Sequence, residues 1–231
     1  MQLVFKGKTK DVFVLDDGKY VLKFKDDVTG EDGVFDPGAN KVGLAMEGAG
    51  EAALQLSKFF FEMLHKKGIP THYIAADLEE KTMTVQPANP FGEGLEVICR
   101  YRAVGSFYRR YGKYVKNGDP LNAFVEFTLK DDAREDPPIT EDALVMLGIL
   151  SKEEYKTLCQ LTREIANVVK DQLAQRDMDL YDIKFEFGRV GHDHHIALID
   201  EISGGNMRAY KDGAQVQPLE LTKLMLEDKS S

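Results

Sequence analysis

Cysteine is scarce in this chain: Cys99 and Cys159 are the only two in 231 residues. One possible pair is no disulfide framework, and both lie among apolar neighbours, so they read as reduced core residues. No apolar run reaches the ~18 residues that a membrane helix needs. The opening MQLVFKGKTK has no apolar signal-peptide core. A cytoplasmic address is therefore the expectation. Positive charge is also short, since 30 Lys and Arg face 39 Asp and Glu for a net charge of −9. That argues against non-specific nucleic-acid binding, which needs a basic face to displace counterions. Any ligand phosphates must be held by local Lys and Arg clusters. Internal repeats and low-complexity segments are absent as well.

What is present is an ordinary globular profile, 43% hydrophobic and 30% charged. The length fits one large domain or two intimate lobes. The first 25 residues read as hairpin material, with Asp16-Asp17-Gly18 between two apolar runs. Residues 26 to 46 are Gly- and Asp-rich and read as a long loop. A helical period runs from Glu47 to Lys67 and stops at Gly68-Ile69-Pro70. Strands are expected near Tyr73-Ile74, Thr82–Val85, Leu95–Arg102 and Phe124–Lys130, with a short helix at Ser106–Tyr111. Thr140-Glu141-Asp142 opens one helix, and Ser151 with Glu154 forms a capping box that opens another, running to about Arg176. A last hairpin, Leu180–Gly188 and Ile196–Ile202, precedes a C-terminal helix near Leu219–Leu226. The order does not alternate strand and helix. It predicts an α+β protein with a β-rich N-terminal lobe, residues 1–90, and a larger α+β lobe, residues 91–231.

Three constellations carry chemistry. In Asp182-Ile183-Lys184-Phe185-Glu186-Phe187-Gly188, strand alternation puts Asp182, Lys184 and Glu186 on one face and the apolar residues on the other. The charged face is either solvated or lines a polar cleft. The returning strand ends in Asp200-Glu201, which can bring Asp200 beside Glu186. Two close carboxylates need a cation, and Mg²⁺ shared with ATP phosphates satisfies both. The second constellation is the turn Gly7-Lys8-Thr9-Lys10. It is not a Walker loop, and its logic is nearer to a kinase glycine-rich turn. An exposed basic turn is the more frequent meaning of such a tetrapeptide. In the third, Arg100 to Ser106 with Arg109 and Arg110, a Ser at a helix start beside Arg forks suits a phosphate. A capped helix with a solvated basic face fits it as well. His192, His194 and His195 fall in a hairpin turn and rank low as a metal cluster, and His65 and His72 read as surface or edge positions.

Taken in order, these segments resemble the SAICAR synthetase family over nearly the whole chain. The resemblance rests on Gly7–Lys10, Lys25–Gly33, Gly68–Thr71, Arg100–Ser106, Leu129–Asp132 with Asp136-Pro137, Asp182–Gly188, and Asp200-Glu201 with Ser203 and Arg208. It implies an α+β fold whose nucleotide site is like that of kinases and ATP-grasp enzymes. It implies ligation of L-aspartate to the carboxylate of carboxyaminoimidazole ribonucleotide, with ATP going to ADP and phosphate. ATP and Mg²⁺ would be the cofactors, and a homodimer is the expected assembly, with no nucleic-acid or membrane partner. By the same resemblance, Lys8, Thr9, Lys10 and Lys130 contact the nucleotide, and Glu186 and Asp200 bind Mg²⁺. Arg100, Ser106 and Arg208 hold the ribonucleotide phosphate. Asp182 and Lys184 face the aminoimidazole and, with Lys130, serve catalysis, while Asp32 ends the substrate loop. The chain departs from the family at Val28-Thr29-Gly30, at Gly43–Gly50 and at Ser203–Asn206, where a family carboxylate is missing. The competing readings are a ligase for another amine or a small-metabolite kinase on the same scaffold, and a non-catalytic nucleotide binder. The joint presence of Lys8, Lys10, Glu186 and Asp200 argues against the last.

Overall fold

The computed structural model describes residues 1–31, 33–39 and 41–227. Its N-terminal part builds β1 (Gln2–Lys6), β2 (Lys10–Val14) and β3 (Tyr20–Phe24), then β4 (Asp27–Glu31), β5 (Val34–Phe35) and β6 (Val42–Ala45). Helix α1 (Ala49–Lys66) follows, then β7 (Tyr73–Asp77), β8 (Thr82–Val85) and β9 (Ala88–Pro90). The remainder is β10 (Leu95–Arg102), α2 (Gly105–Tyr111), β11 (Pro120–Leu129), a 3₁₀ turn at Asp132–Arg134, α3 (Glu141–Met146) and α4 (Lys152–Ala174). It ends in β12 (Asp179–Val190), β13 (His195–Ile199), β14 (Met207–Lys211), β15 (Ala214–Gln215) and α5 (Pro218–Leu226).

Three sheets result. A five-stranded sheet has the order β1-β2-β3-β8-β7, and β4 lies between β5 and β6 in a small separate sheet. The segment 26 to 46, expected as a loop, therefore carries three strands. Its glycines are the reason both for the misreading and for the strands: a Cβ on Gly43 would meet the backbone of Gly30 at 2.4 Å, and a Cβ on Gly30 would meet the Val34 carbonyl at 2.2 Å, so β6 and β5 pair this closely with β4 only because those positions are bare.

The large sheet runs β11-β10-β12-β14-β15, with β9 and β13 paired to the far half of β12. Twelve-residue β12 is its spine. Ile183, Phe185 and Phe187 point into the core, and Asp182, Lys184 and Glu186 point away, as alternation predicts. α4 covers the apolar side with Leu158, Thr162, Ile165, Ala166, Val169 and Leu173, a stripe of helical spacing. Burying each such aliphatic side chain contributes about 1.5–3 kcal/mol. Ser151 and Glu154 close the expected capping box at its start. One core cluster joins both parts of the chain, from Leu22 and Phe24 through Phe60 and Phe61 to Phe185 and Met225.

The returning strand is interrupted. β13 pairs with β12 as far as Glu186 opposite Ile199, and β14 resumes with Met207 opposite Ile183. Residues 200 to 205 leave the ladder between them. The expected strand to Ile202 thus ends three residues early, at Ile199, and is followed by Asp200, whose φ is +66°. Asp tolerates that left-handed conformation better than most residues.

Candidate active site

The polar face of the large sheet is a grid fixed by register. Glu96 lies opposite Glu186, Ile98 opposite Lys184, and Arg100 opposite Asp182, with Arg208 on the other side of Asp182. Arg100 is 1% exposed. Its Nε donates to Glu126 at 2.8 Å, Nη1 to Asp182 at 2.8 Å, and Nη2 to the Ser106 hydroxyl at 2.9 Å. Arg110 donates to the other Glu126 oxygen at 2.5 Å. Arg208 donates through Nη1 to Asp182 at 2.8 Å and through Nη2 to Asp36 at 2.6 Å. Gly105 makes room for that arginine, since a Cβ there would stand 2.8 Å from Nη2. Planar guanidinium forks suit such fixed, multiply bonded pairing.

A second group is built on lysines. Lys130 donates to Glu186 at 2.6 Å and Lys184 donates to Glu96 at 2.6 Å. Lys10, buried at the end of the Gly7–Lys10 turn, pairs with Asp200 at 3.1 Å and with Glu201. Lys8, on the exposed side of that turn, reaches Asp132 at 2.6 Å. Burial pushes the Glu186 carboxyl up, and neighbouring Asp200 adds to it against the pull of Lys130 and Lys184. Burial acts on Asp200 in the same sense, but Lys10 and Lys130 outweigh it and hold that carboxyl below its ordinary range. Burial lowers Lys10, and Asp200 with Glu201 more than reverses it, so the ammonium is kept charged.

These groups line two adjoining cavities. The first, about 560 Å³, is lined by Gly7 to Lys10, Lys130, Glu186, Asp200 and the 203–206 turn. The second, about 740 Å³, is lined by Arg100, Ser106, Arg109, Asp182, Arg208 and Asp36. Glu96, Asp132, Asp136, Lys184 and Asn206 line both, so the two spaces meet there. One can hold a group that needs ammonium partners, and the other a group that needs guanidinium partners.

Glu186 and Asp200 fit a hard divalent cation. Their mutual repulsion is real, each has a single flexible ammonium within reach, and Mg²⁺ takes only one or two carboxylates and fills its shell with water and phosphate oxygens. Among the described residues no set of three or more His, Cys, Asp or Glu is arranged for a metal.

The structure brings together Lys8, Thr9, Lys10, Lys130, Glu186 and Asp200, and separately Arg100, Ser106, Asp182 and Arg208, with Lys184 at the junction. Asp32 lies outside the described residues. His72 is not at the surface: it is 4% exposed, packed near Phe61, with its pKa pushed down to about 4 by burial. The sequence reading missed Glu96, Glu126 and Asp36, and it named Glu201 without giving it a role. Alternation along Leu95–Arg102 puts Glu96 on the Arg100 face and was the available signal for it; the partners of the others depend on register and loop path.

A family model described as SAICAR synthetase matches residues 3–227. The chain is 68% identical over 227 residues to a phosphoribosylaminoimidazole-succinocarboxamide synthase of Clostridium tetani, covering 98% of this chain and all of that one. Among solved structures, a SAICAR synthetase in complex with ADP aligns with a TM-score of 0.81 at 31% identity, over 92% of this chain and 86% of the other. The SAICAR synthetase of Pyrococcus horikoshii aligns with a TM-score of 0.77 at 29% identity, over 96% and 91%. No helix among the described residues is long and apolar enough to cross a membrane. With a family match over nearly its whole length, and relatives that share both sequence and architecture, the chain belongs to the SAICAR synthetase family.

Proposed function

We propose that this chain joins L-aspartate to the carboxylate of carboxyaminoimidazole ribonucleotide, converting ATP to ADP and phosphate, in purine biosynthesis. The observation that carries the reading is the pair of adjoining cavities, one walled by lysines and carboxylates and one by arginines, meeting at Lys184. ATP phosphates occupy the first, against Lys8, Thr9, Lys10 and Lys130. Glu186 and Asp200 would hold Mg²⁺, which when bound supplies positive charge to the transferring phosphoryl group. The ribonucleotide phosphate sits in the second cavity against Arg208 and Ser106, with Arg100 acting through the Ser106 hydroxyl that it holds. Asp182 orients Arg208 and borders the aminoimidazole. Lys184 and Lys130 stabilise charge as the substrate carboxylate oxygen takes the γ-phosphoryl group. The amine of aspartate then attacks the acyl phosphate. Substrate-loop contact by Asp32, division into lobes 1–90 and 91–231, a homodimer and a cytoplasmic address belong to the same proposal and rest on the family resemblance.

The test is ADP release with ATP, carboxyaminoimidazole ribonucleotide and L-aspartate, each omitted in turn. Release should need all three. The dephosphorylated nucleoside should be turned over far more slowly, because Arg208 and Ser106 lose the group they recognise. Equal turnover of the two would remove the phosphate from the arginine-lined cavity, and full activity with another amine in place of aspartate would reassign the third substrate.

A further inference from the structure

We propose that Asp136 is the catalytic residue that takes the proton from the attacking amine; the inference rests on the ligase reading above. Three carboxylates line both cavities and therefore border the point where they meet: Glu96, Asp132 and Asp136. Glu96 is held by Lys184 at 2.6 Å, and Asp132 by Lys8 at 2.6 Å. Of the other acids of the arginine-lined wall, Asp36 and Asp182 are held by Arg208, and Asp182 by Arg100 too, while Glu135 lines that cavity alone and does not border the junction. On the lysine-lined side Glu186, Asp200 and Glu201 are held by Lys130 and Lys10. Among the described residues no cation lies within ion-pair distance of Asp136. It is the carboxylate at the junction that keeps its basicity for an incoming group.

Its placement is built by the turn that follows Lys130. The 3₁₀ turn at Asp132–Arg134 leads into Glu135 and Asp136, both left-handed at φ +58° and +47°. Two such residues in a row are strained, and short bonds hold them. The Asp131 N–H donates to Asp136 Oδ1 at 2.7 Å, and the Asp136 N–H donates back to the Asp131 carbonyl at 3.1 Å. The turn engages Oδ1; among the described residues no hydrogen bond reaches Oδ2. Burial, then the neighbouring Glu96, push the carboxyl above its ordinary range against the Asp131 N–H and Lys184, which brings it nearer to the amine it deprotonates.

The ammonium of L-aspartate, the form present at pH 7, first gives a proton to Asp136 Oδ2, which passes it to water. The nitrogen lone pair so freed forms the C–N bond. The bond between the acyl carbon and the bridging oxygen breaks, and inorganic phosphate leaves with that electron pair, taking the second proton that nitrogen sheds once the bond has formed.

Asp136→Asn separates this role from that of a mere turn clamp, because Asn keeps the Oδ1 acceptor and tolerates the left-handed backbone. Wild type and variant are assayed as full-length chains with ATP, the ribonucleotide and either L-aspartate or hydroxylamine, a nucleophile already neutral at pH 7. Aspartate turnover of the variant should fall by about 10²–10⁴-fold, the range of general base catalysis. KM for ATP should hold steady, and hydroxamate should still form at close to the wild-type rate. Equal losses with both nucleophiles would make Asp136 a structural residue and overturn the proposal. So would near-normal aspartate turnover. Absence of hydroxamate from the wild type would instead overturn the acyl phosphate, and the ligase reading with it.

Discussion

The arginine grid and the lysine corner use the same two kinds of charge to opposite ends. In the grid, Arg100 spends all three guanidinium nitrogens on Glu126, Asp182 and Ser106, and both carboxylates have a second arginine. Nothing there can leave without exposing a buried charge. In the corner, Glu186 and Asp200 repel one another and are each met by a single ammonium on a flexible stem. A divalent cation can take over what those ammoniums do. Planar forks thus make a scaffold, and point charges make an exchangeable site.

The strongest way to break the contrast is Arg100→Met. A buried pair that loses one partner is strongly destabilised, so this variant should lose ~3 kcal/mol in urea unfolding, with the slope unchanged. A loss under ~1 kcal/mol would mean that Arg110 and Arg208 neutralise the two acids unaided. Next, Glu186→Gln and Asp200→Asn test exchangeability. Each should cut turnover by about 10²–10³-fold, but in the absence of metal and nucleotide they should part: Asp200→Asn should lower the melting temperature, because Lys10 and Lys130 favour the charged carboxylate there. Glu186→Gln should raise it slightly, because the charged carboxylate is disfavoured where it stands. Near-normal activity in either variant would move the metal elsewhere.

The smallest expected effect sharpens the boundary of the grid. Asp36 lies at its open edge, with its side chain 37% exposed. Burial pushes its carboxyl up, but Arg208 and the Gly38 N–H outweigh this and hold it below the usual range. A depressed carboxylate stabilises the fold above its unfolded value, near pH 4, and that stabilisation is lost as the pH falls through the folded value. The wild type should therefore lose under ~1 kcal/mol below about pH 4 that Asp36→Asn does not lose. Parallel acid-melting curves would show that Asp36 contributes nothing through its charge.

The contrast also explains what could be read from the sequence. Alternation put Asp182, Lys184 and Glu186 on one face, and the structure agrees. The capping box and the glycine–lysine turn were equally local, and both were legible. Cross-strand partners were not. Glu96 and Glu126 acquire their roles from a register between strands some 30 to 90 residues apart in sequence, which no local pattern encodes. Asp36 was hidden in a Gly- and Asp-rich stretch that reads as loop because its closely paired strands need bare glycines. The lysine corner was legible because its residues fall at strand ends and turns, and the arginine grid less so because register assembles it.

The break between β13 and β14 has a further meaning for how such an enzyme can change. A continuous strand ties each residue to two neighbours, so a substitution there disturbs the whole ladder. Residues 200 to 205 escape that tie, and all of them but buried Ile202 lie along the lysine-lined cavity. This is also where the chain reads Ser203-Gly204-Gly205-Asn206, a segment without a carboxylate. The sheet therefore isolates a short stretch of chain, 203 to 205, that selection can rewrite without disturbing the ladder on either side, so one wall of the cavity can change while the strands that carry Lys10, Glu186 and Arg208 stay as they are.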